Sequence, residues 1–232
     1  MTVIDLLERP VYPYSEVDRL IGLSRGTARR WINGYERSGK SYLPILREAS
    51  KDTEWATWGE FVEARILAEY RDLDIPTGRL RATVAGLRDR FGVSHPLAHE
   101  RPYLAAEAGE IVIDRERLDP DGEPGLVVIR TGQMLLSERG REVITRAALT
   151  RDANGHNVVA ELRVDEQFPD IVVSPDRRGG EPTITGRRIA VTTIAGLAST
   201  GEDISDIAAD FGLSKQQVKA AIAYAAKYGL AA

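Results

Sequence analysis

The clearest pattern of hydrophobic and polar positions lies near the C-terminus. Apolar residues recur at helical spacing over residues 204–211, and the run stops at Gly212, which adopts left-handed backbone angles at little cost. Ser214 offers a hydroxyl to the free backbone N–H groups of the next turn, and Gln217 stands three residues on, as in a capping box. The pattern predicts two helices joined by a short turn, with Leu213 filling the angle between them.

A similar pattern occurs near the N-terminus, where residues 20–32 repeat the Gly-Leu-Ser core and the basic residue that follows it. Ser15 is expected to cap a first helix, Gly22 to end it, and Ser24 to cap a second helix. Two β-prone pieces then flank the turn signal Ser38-Gly39-Lys40. A hairpin directly after a second helix predicts a wing.

Two longer helices are predicted next. The first is capped at Thr57 and amphipathic, ends before Pro76, and has its apolar positions at Phe61, Ala64, Ile66, Leu67 and Tyr70. The second runs from Thr77 to about Phe91 and stops at Gly92. Short β-prone runs occupy much of residues 95–175, with one further helix expected near residues 141–149. This middle region has no chemical motif, so a scaffold or dimerisation role is expected.

Composition narrows the class of protein. The chain has 232 residues, a net charge of −4 and no cysteine, which excludes disulfides, thiolate nucleophiles and cysteine-bound zinc. The N-terminus lacks the basic residues of a signal peptide and no apolar run is long enough to span a bilayer, so we expect a cytoplasmic protein with no membrane contact. Residues 15–50 nevertheless contain seven Arg or Lys against four acids. An acidic protein with one basic module favours sequence-directed DNA binding.

In each of the two predicted helix pairs, the polar face of the second helix supplies candidate DNA contacts. Arginine matches guanine edges and phosphates, and asparagine pairs with adenine. The candidates in the N-terminal helix and hairpin are Arg25, Thr27, Arg29, Arg30, Asn33, Arg37 and Lys40, and those in the C-terminal helix are Lys215, Gln216 and Lys219. We favour DNA reading by the N-terminal unit and partner binding by the C-terminal one, because the C-terminal face has fewer positive charges.

Two family resemblances follow from these motifs. Residues 14–93 resemble a MerR-type winged helix-turn-helix, although the effector-binding cysteines of metal-responsive members have no counterpart here. Residues 179–229 resemble a small homeodomain-like bacterial domain of unknown function that recurs in antitoxins encoded beside PIN-domain ribonuclease toxins. That likeness is carried mainly by Gly179, Gly180, Pro182, Gly186, Arg188, Ile189 and Tyr224, and it departs where this chain has Arg187 in place of a threonine.

The resemblances together imply an α+β, mainly α protein. Its expected regions are a winged helix-turn-helix over 1–94, a β-rich scaffold over 95–170 and a homeodomain-like helix-turn-helix over 171–232. They also imply a VapB-type antitoxin, expected to be a homodimer, that neutralises a PIN-domain toxin and represses their operon by binding operator DNA. PIN active sites are carboxylate clusters around Mg²⁺, so an inserted arginine would compete there. The candidates are Arg177, Arg178, Arg187 and Arg188.

Other functions stay open from the residues alone. A regulator with no toxin, whose middle region binds a small effector, and an interaction scaffold that binds no DNA are the alternatives. No nucleophile elbow or phosphate-binding loop predicts an enzyme, and no cofactor is expected. His95 and His99 have a helical metal-ligand spacing, but Pro96 argues against a helix there. These two residues and His156 are therefore expected to be solvent-exposed and to bind no metal.

Overall fold

The computed structural model describes residues 5–70, 75–103, 136 and 138–230. They fall into two compact units that divide between Val159 and Ala160. Helices combine with two-stranded sheets in both units, which confirms the α+β prediction. The β-prone runs predicted at residues 110–115, 125–130 and 133–137 lie outside the described residues, apart from Leu136 itself. Among the described helices, none has the length and apolar character needed to span a membrane.

The first unit begins with a 3₁₀ turn at Leu6–Glu8 and contains most of the described strands. Strand β1 pairs antiparallel with β4, β2 pairs antiparallel with β3, and β5 pairs with β6. The elements in chain order are β1 (Pro10–Pro13), α1 (Tyr14–Ile21), α2 (Thr27–Asn33), β2 (Tyr35–Arg37), β3 (Lys40–Tyr42), β4 (Trp55–Thr57), α3 (Trp58–Ala68), α4 (Thr77–Phe91), a 3₁₀ turn (Pro96–Ala98), α5 (Glu138–Thr145), β5 (Ala148–Arg151) and β6 (Asn157–Glu161), whose last two residues fall in the second unit.

Helix α3 forms the centre of the first unit. It begins at the predicted cap, where the Thr57 hydroxyl accepts from the backbone N–H of Glu60 and the Glu60 carboxylate accepts from that of Thr57. The predicted amphipathic character is wrong, because Glu60, Glu63 and Arg65 are buried together with the apolar side chains. Buried charges need partners. Arg47 pairs with Glu60 and His95 with Glu63, both from outside α3, and Arg65 pairs with Glu69 at the end of α3 itself. The indole of Trp58 also donates to the carbonyl of Val159 at 2.7 Å.

The second unit consists of one small sheet and three helices. Its elements are β7 (Ile171–Val172), a 3₁₀ turn (Arg178–Gly180), β8 (Thr183–Ile184), α6 (Val191–Ser199), α7 (Ile204–Phe211) and α8 (Lys215–Tyr228). Strands β7 and β8 pair antiparallel, and the helices enclose a core that includes Val191, Ile194, Ile207, Val218 and Tyr224. The predicted end of α7 is confirmed, since Gly212 has a φ of 61°. The Ser214–Gln217 capping box and the burial of Leu213 are confirmed as well.

The expected caps of the two N-terminal helices are wrong, although Gly22 ends α1 in the left-handed region as predicted. Helix α1 begins at Tyr14, so Ser15 lies inside it, and no side chain caps it. Helix α2 begins only at Thr27, with Gly26 and not Ser24 at its cap position. The helix expected near residues 141–149 instead spans Glu138–Thr145, and Ala148 and Leu149 belong to strand β5.

Candidate functional site

The N-terminus of α2 is fixed by a carboxylate from α1. The two oxygens of Asp18 accept from the backbone N–H groups of Gly26, at 2.5 Å, and Ala28, at 2.7 Å. Asp18 is buried, and a negative charge at this position also suits the positive end of the helix dipole. This contact holds α2 at a set angle to α1, while Ala28 and Ile32 anchor its inner face in the core.

Helix α2 and the loop before it present three of the predicted arginines to solvent. Arg25, Arg29 and Arg30 are exposed, and Thr27 is half-buried. Arg29 makes an exposed ion pair with Glu54 at 3.4 Å, and Arg30 donates to the Thr27 hydroxyl at 2.8 Å. Exposed pairs of this kind contribute about 0–1 kcal/mol, so a phosphate or base edge can replace them at little cost.

Asn33, the predicted adenine reader, is engaged within the chain. Its side-chain carbonyl accepts from the Lys51 backbone N–H and from Arg47, both at 2.8 Å, and its amide nitrogen donates to the Lys51 carbonyl at 2.9 Å. Both ends of the amide therefore have partners. In this arrangement Asn33 ties the end of α2 to the segment that follows the hairpin.

The hairpin β2–β3 places the last two N-terminal candidates at its tip. Its two-residue loop has positive φ at both positions, 51° at Ser38 and 73° at Gly39, which matches the right-handed twist of the strands. Arg37 and Lys40 face each other across this loop and are exposed. Two positive side chains thus project from the tip of a short hairpin that directly follows α2.

Arg47 joins the surrounding elements and is a residue whose role the sequence did not reveal. Its guanidinium donates to both oxygens of Glu60, at 2.5 and 2.9 Å, and also to the Tyr14 hydroxyl, the Asn33 side chain and the Trp55 carbonyl. It is buried, and the pKa of Arg47 is raised because the hydrogen bond and the charge of Glu60 outweigh the effect of burial. In the sequence it is one of the seven basic residues counted over 15–50. Its five hydrogen bonds instead hold α1, α2, β4 and α3 together.

The C-terminal helix pair presents the second group of DNA candidates. Lys215, Gln216 and Lys219 lie in the first turns of α8 and are all exposed. Lys215 and Lys219 are four residues apart, so they lie on the same side of the helix. The second unit therefore offers two lysines at the start of a helix that follows a tight turn.

Two of the four arginines expected to reach a toxin are held in ion pairs. Arg177 is half-buried and pairs with Glu161 at 2.8 Å. Arg178 is exposed and pairs with Glu181 at 3.0 Å. Both side chains are thus already directed toward carboxylates of the same unit.

The other two arginines lie on the turn after β8. Arg187 is exposed and donates to the Gly212 carbonyl at 3.2 Å, which connects this turn to the turn between α7 and α8. Arg188 is exposed and makes no hydrogen bond or ion pair with any described residue. Among the four candidates, Arg188 has the guanidinium that is most available to a partner.

The expectation of solvent-exposed histidines is wrong, because His95 and His99 are buried and His156 is half-buried. His95 and His99 are each only 5% exposed. The His95 ring lies between Glu63, at 3.3 Å, and Glu8, at 3.1 Å. Burial lowers the pKa of His95, but the two carboxylates outweigh it and raise the pKa to about 9. His95 is therefore a buried cation that links the N-terminal turn to α3.

Comparisons with known proteins show which family the chain belongs to. The model of a protein family of unknown function, DUF433, matches residues 171–225. The uncharacterized protein Rv2308 of Mycobacterium tuberculosis (strain ATCC 25618 / H37Rv) is 50% identical over 233 residues, which cover 100% of this chain and 96% of that protein. The chain belongs to the Rv2308 family.

The Rv2308 family has a more distant relative in the same organism, named "Putative antitoxin VapB45". It is 24% identical over 228 residues, which cover 92% of this chain and 92% of that protein. The X-ray crystal structure of Rv2018 from Mycobacterium tuberculosis aligns with a TM-score of 0.66 and 21% identity, over 92% of this chain and 97% of that chain. This Rv2308-family chain and Rv2018 therefore share a fold.

Proposed function

We propose that this chain is the antitoxin of a toxin–antitoxin pair, which neutralises a PIN-domain ribonuclease and binds operator DNA to repress the pair's operon. The observation that carries the antitoxin part is the match, over 92% of both chains, to a protein named as an antitoxin. The family match at residues 171–225 supports it, since the sequence there resembles a domain that recurs in antitoxins. In this proposal the chain acts by binding, without a catalytic step, and as a homodimer that matches a palindromic operator.

The DNA-binding part of the proposal rests on α2 and the hairpin. The Asp18 carboxylate and the Arg47 network fix α2, while Arg25, Arg29 and Arg30 stay exposed. A fixed helix with exposed basic side chains suits a major groove, because the scaffold sets the position and the arginines can reach base edges. The hairpin tip would then place Arg37 and Lys40 against the phosphate backbone.

The toxin-binding part rests on Arg188. A carboxylate cluster recognises a guanidinium that is free to form paired hydrogen bonds. Arg177 and Arg178 would have to give up ion pairs with Glu161 and Glu181 before they could enter such a cluster. Arg188 has no such pair to give up within the described residues, so we assign the inhibitory contact to it.

DNA binding is tested by titrating the upstream DNA of the gene with the full chain at several salt concentrations. Removal of one arginine that pairs with guanine should weaken binding by about 5- to 150-fold, which corresponds to about 1–3 kcal/mol. Arg29→Ala and Arg30→Ala are the variants for this step. Lys40→Ala should reduce the steepness of the plot of log affinity against log salt concentration by about 1, which corresponds to the loss of one phosphate contact.

The matched control for DNA binding is Arg146→Ala, which removes an exposed arginine outside the helix pair and the hairpin. Its affinity should equal that of the unmodified chain. If both α2 variants bind as tightly as this control, the N-terminal assignment is refuted. Lys219→Ala then tests whether the C-terminal pair reads DNA instead.

Toxin neutralisation is tested by co-purifying the chain with the product of the adjacent gene and assaying that product's ribonuclease activity. We expect a stable complex with suppressed cleavage, and a loss of suppression in Arg188→Ala but not in Arg178→Ala. Both variants remove one exposed arginine from the same unit. A complex whose suppression survives Arg188→Ala would refute the assignment to Arg188. No complex at all would favour a DNA-binding regulator with no toxin, and absence of DNA binding as well would favour an interaction scaffold.

A further inference from the structure

Two distant segments of the first unit bring metal-binding side chains together. His99 follows the 3₁₀ turn at Pro96–Ala98, and Asp152 and His156 flank the turn between β5 and β6. One ring nitrogen of each histidine and one carboxylate oxygen of Asp152 lie within 4.8 Å of one another. Residue types with this mixture of nitrogen and oxygen ligands are common around zinc.

The backbone fixes the two segments against each other. His99 forms an antiparallel bridge with Val158, and the Glu100 N–H donates to the Asn157 carbonyl at 3.0 Å. The Asn157 side chain donates in turn to the Glu100 carboxylate at 2.7 Å. His99 is therefore held beside the β5–β6 turn by contacts that do not involve its own ring.

The β5–β6 turn orients the carboxylate. One oxygen of Asp152 accepts from the backbone N–H groups of Asn154, at 2.9 Å, and His156, at 2.7 Å. Its other oxygen lies 3.6 Å from Nδ1 of His156. Carboxylate ligands are commonly oriented by hydrogen bonds of this kind, which leave the second oxygen available to an ion.

The buried histidine nitrogens are an independent sign of a ligand. Nδ1 of His99 and Nδ1 of His156 are both buried, and neither has a hydrogen-bond partner among the described residues. A buried polar atom without a partner is uncommon in native structures, and a bound ion is one of its standard explanations.

We propose that His99, Asp152 and His156 form a site for a divalent transition ion of the Zn²⁺ type. Ligands at about 2.1 Å from a tetrahedral ion lie about 3.4 Å apart. The 3.6 Å between the Asp152 oxygen and Nδ1 of His156 is already close to that value. All three ligand atoms lie within 4.8 Å of one another, so the side chains would have to move together by about 1 Å to bind the ion. The His156 side chain is 33% exposed, which gives the ion a route from solvent and leaves a fourth position to water.

The proposed site does not depend on the antitoxin proposal, and it contradicts the expectation that the histidines bind no metal. The ion would join the segment around His99 to the β5–β6 turn. Two imidazoles and one carboxylate favour zinc, cobalt or nickel over magnesium and calcium, which prefer oxygen ligands. Mg²⁺ is therefore the appropriate negative control in a binding test.

The test uses the full chain without a polyhistidine tag, treated with a chelator and then desalted. Calorimetric titration with Zn²⁺ should saturate at one ion per chain, and titration with Mg²⁺ should give no signal. The chain has three histidines, so long-range nitrogen spectra of the imidazole rings resolve each one. We expect Zn²⁺ to shift the ring signals of His99 and His156 and to leave those of His95 unchanged.

Substitutions separate the site from unspecific binding. His156→Asn should weaken Zn²⁺ binding at least tenfold, while Asn154→Ala, which alters the same turn without removing a ligand, should bind as the unmodified chain does. No saturable binding, or binding that survives His156→Asn, would overturn the proposal. Ring signals of His99 and His156 that stay unchanged in the unmodified chain would overturn it as well, and that result does not depend on whether a variant folds.

Discussion

Removal of the Arg47 guanidinium should strongly destabilise the first unit. The substitution Arg47→Met keeps most of the side-chain volume but deletes five hydrogen bonds, two of them to Glu60 at 2.5 and 2.9 Å. Glu60 is only 1% exposed, so its carboxylate cannot regain water. Breaking a buried pair by removing one partner costs about 3–5 kcal/mol. That is a large part of the roughly 5–15 kcal/mol by which a domain is stable.

Urea unfolding followed by tryptophan fluorescence measures this loss selectively. Trp31, Trp55 and Trp58 are the three tryptophans of the chain, and all three lie in the first unit. The free energy of unfolding typically falls by about 2 kcal/mol for each molar of urea, so the urea concentration at the midpoint of unfolding should fall by about 2 M. Arg29→Met is the matched control, because it breaks an exposed ion pair with Glu54 and should cost less than about 1 kcal/mol.

A second substitution tests the cause. Glu60→Gln removes the buried negative charge but retains an acceptor for the Thr57 backbone N–H, as in a Thr-x-x-Gln capping box. The double variant Arg47→Met/Glu60→Gln should therefore be more stable than Arg47→Met alone. The reasoning fails if Arg47→Met costs less than 1 kcal/mol, or if the double variant is no more stable than the single one.

Three further predictions concern the same unit. The pKa of His95, about 9, lies above the ordinary value for histidine. The stability that charged His95 contributes to the fold is therefore complete below about pH 6.5 and is lost as the pH rises through 9. The free energy of unfolding should fall by roughly 3 kcal/mol over that range, and a His95→Gln variant should lose this pH dependence. Asp18→Ala should cost about 0.5–2 kcal/mol in urea unfolding because α2 loses its cap; a change within error would contradict this. Gly59→Ala would place a Cβ atom 2.5 Å from the His95 ring and should lower the free energy of unfolding by about 1–3 kcal/mol, whereas Gly78→Ala, with open space around it, should not.

Local sequence signals predicted the elements whose causes are local. The caps at Thr57 and Ser214 each depend on a residue three positions away, and both were found where expected. Gly22 and Gly212 end their helices by their own backbone angles. Signals of this kind lie within one helical turn of the residues they affect, so a single sequence contains them in full.

The errors came from residues whose partners are distant in sequence. Asp18 caps α2 from the previous helix, so Ser24 was given a role that a carboxylate eight to ten residues away performs. Arg47 was counted only as one of the basic residues of 15–50, because its acceptors lie on other elements, up to 33 residues away. His99 and His156 are 57 residues apart, and the His99–Val158 bridge and the Glu100–Asn157 hydrogen bonds bring them together. No periodic pattern in the sequence encodes these pairings.

The bond from Arg187 to the Gly212 carbonyl has a consequence for how the two proposed partners affect each other. It joins the turn that displays Arg188 to the turn from which α8 begins. In the proposed complex, a toxin bound to the first turn is therefore coupled to the start of α8 as well. Thermodynamic reciprocity requires that the factor by which toxin changes the affinity of the chain for DNA equals the factor by which DNA changes its affinity for toxin.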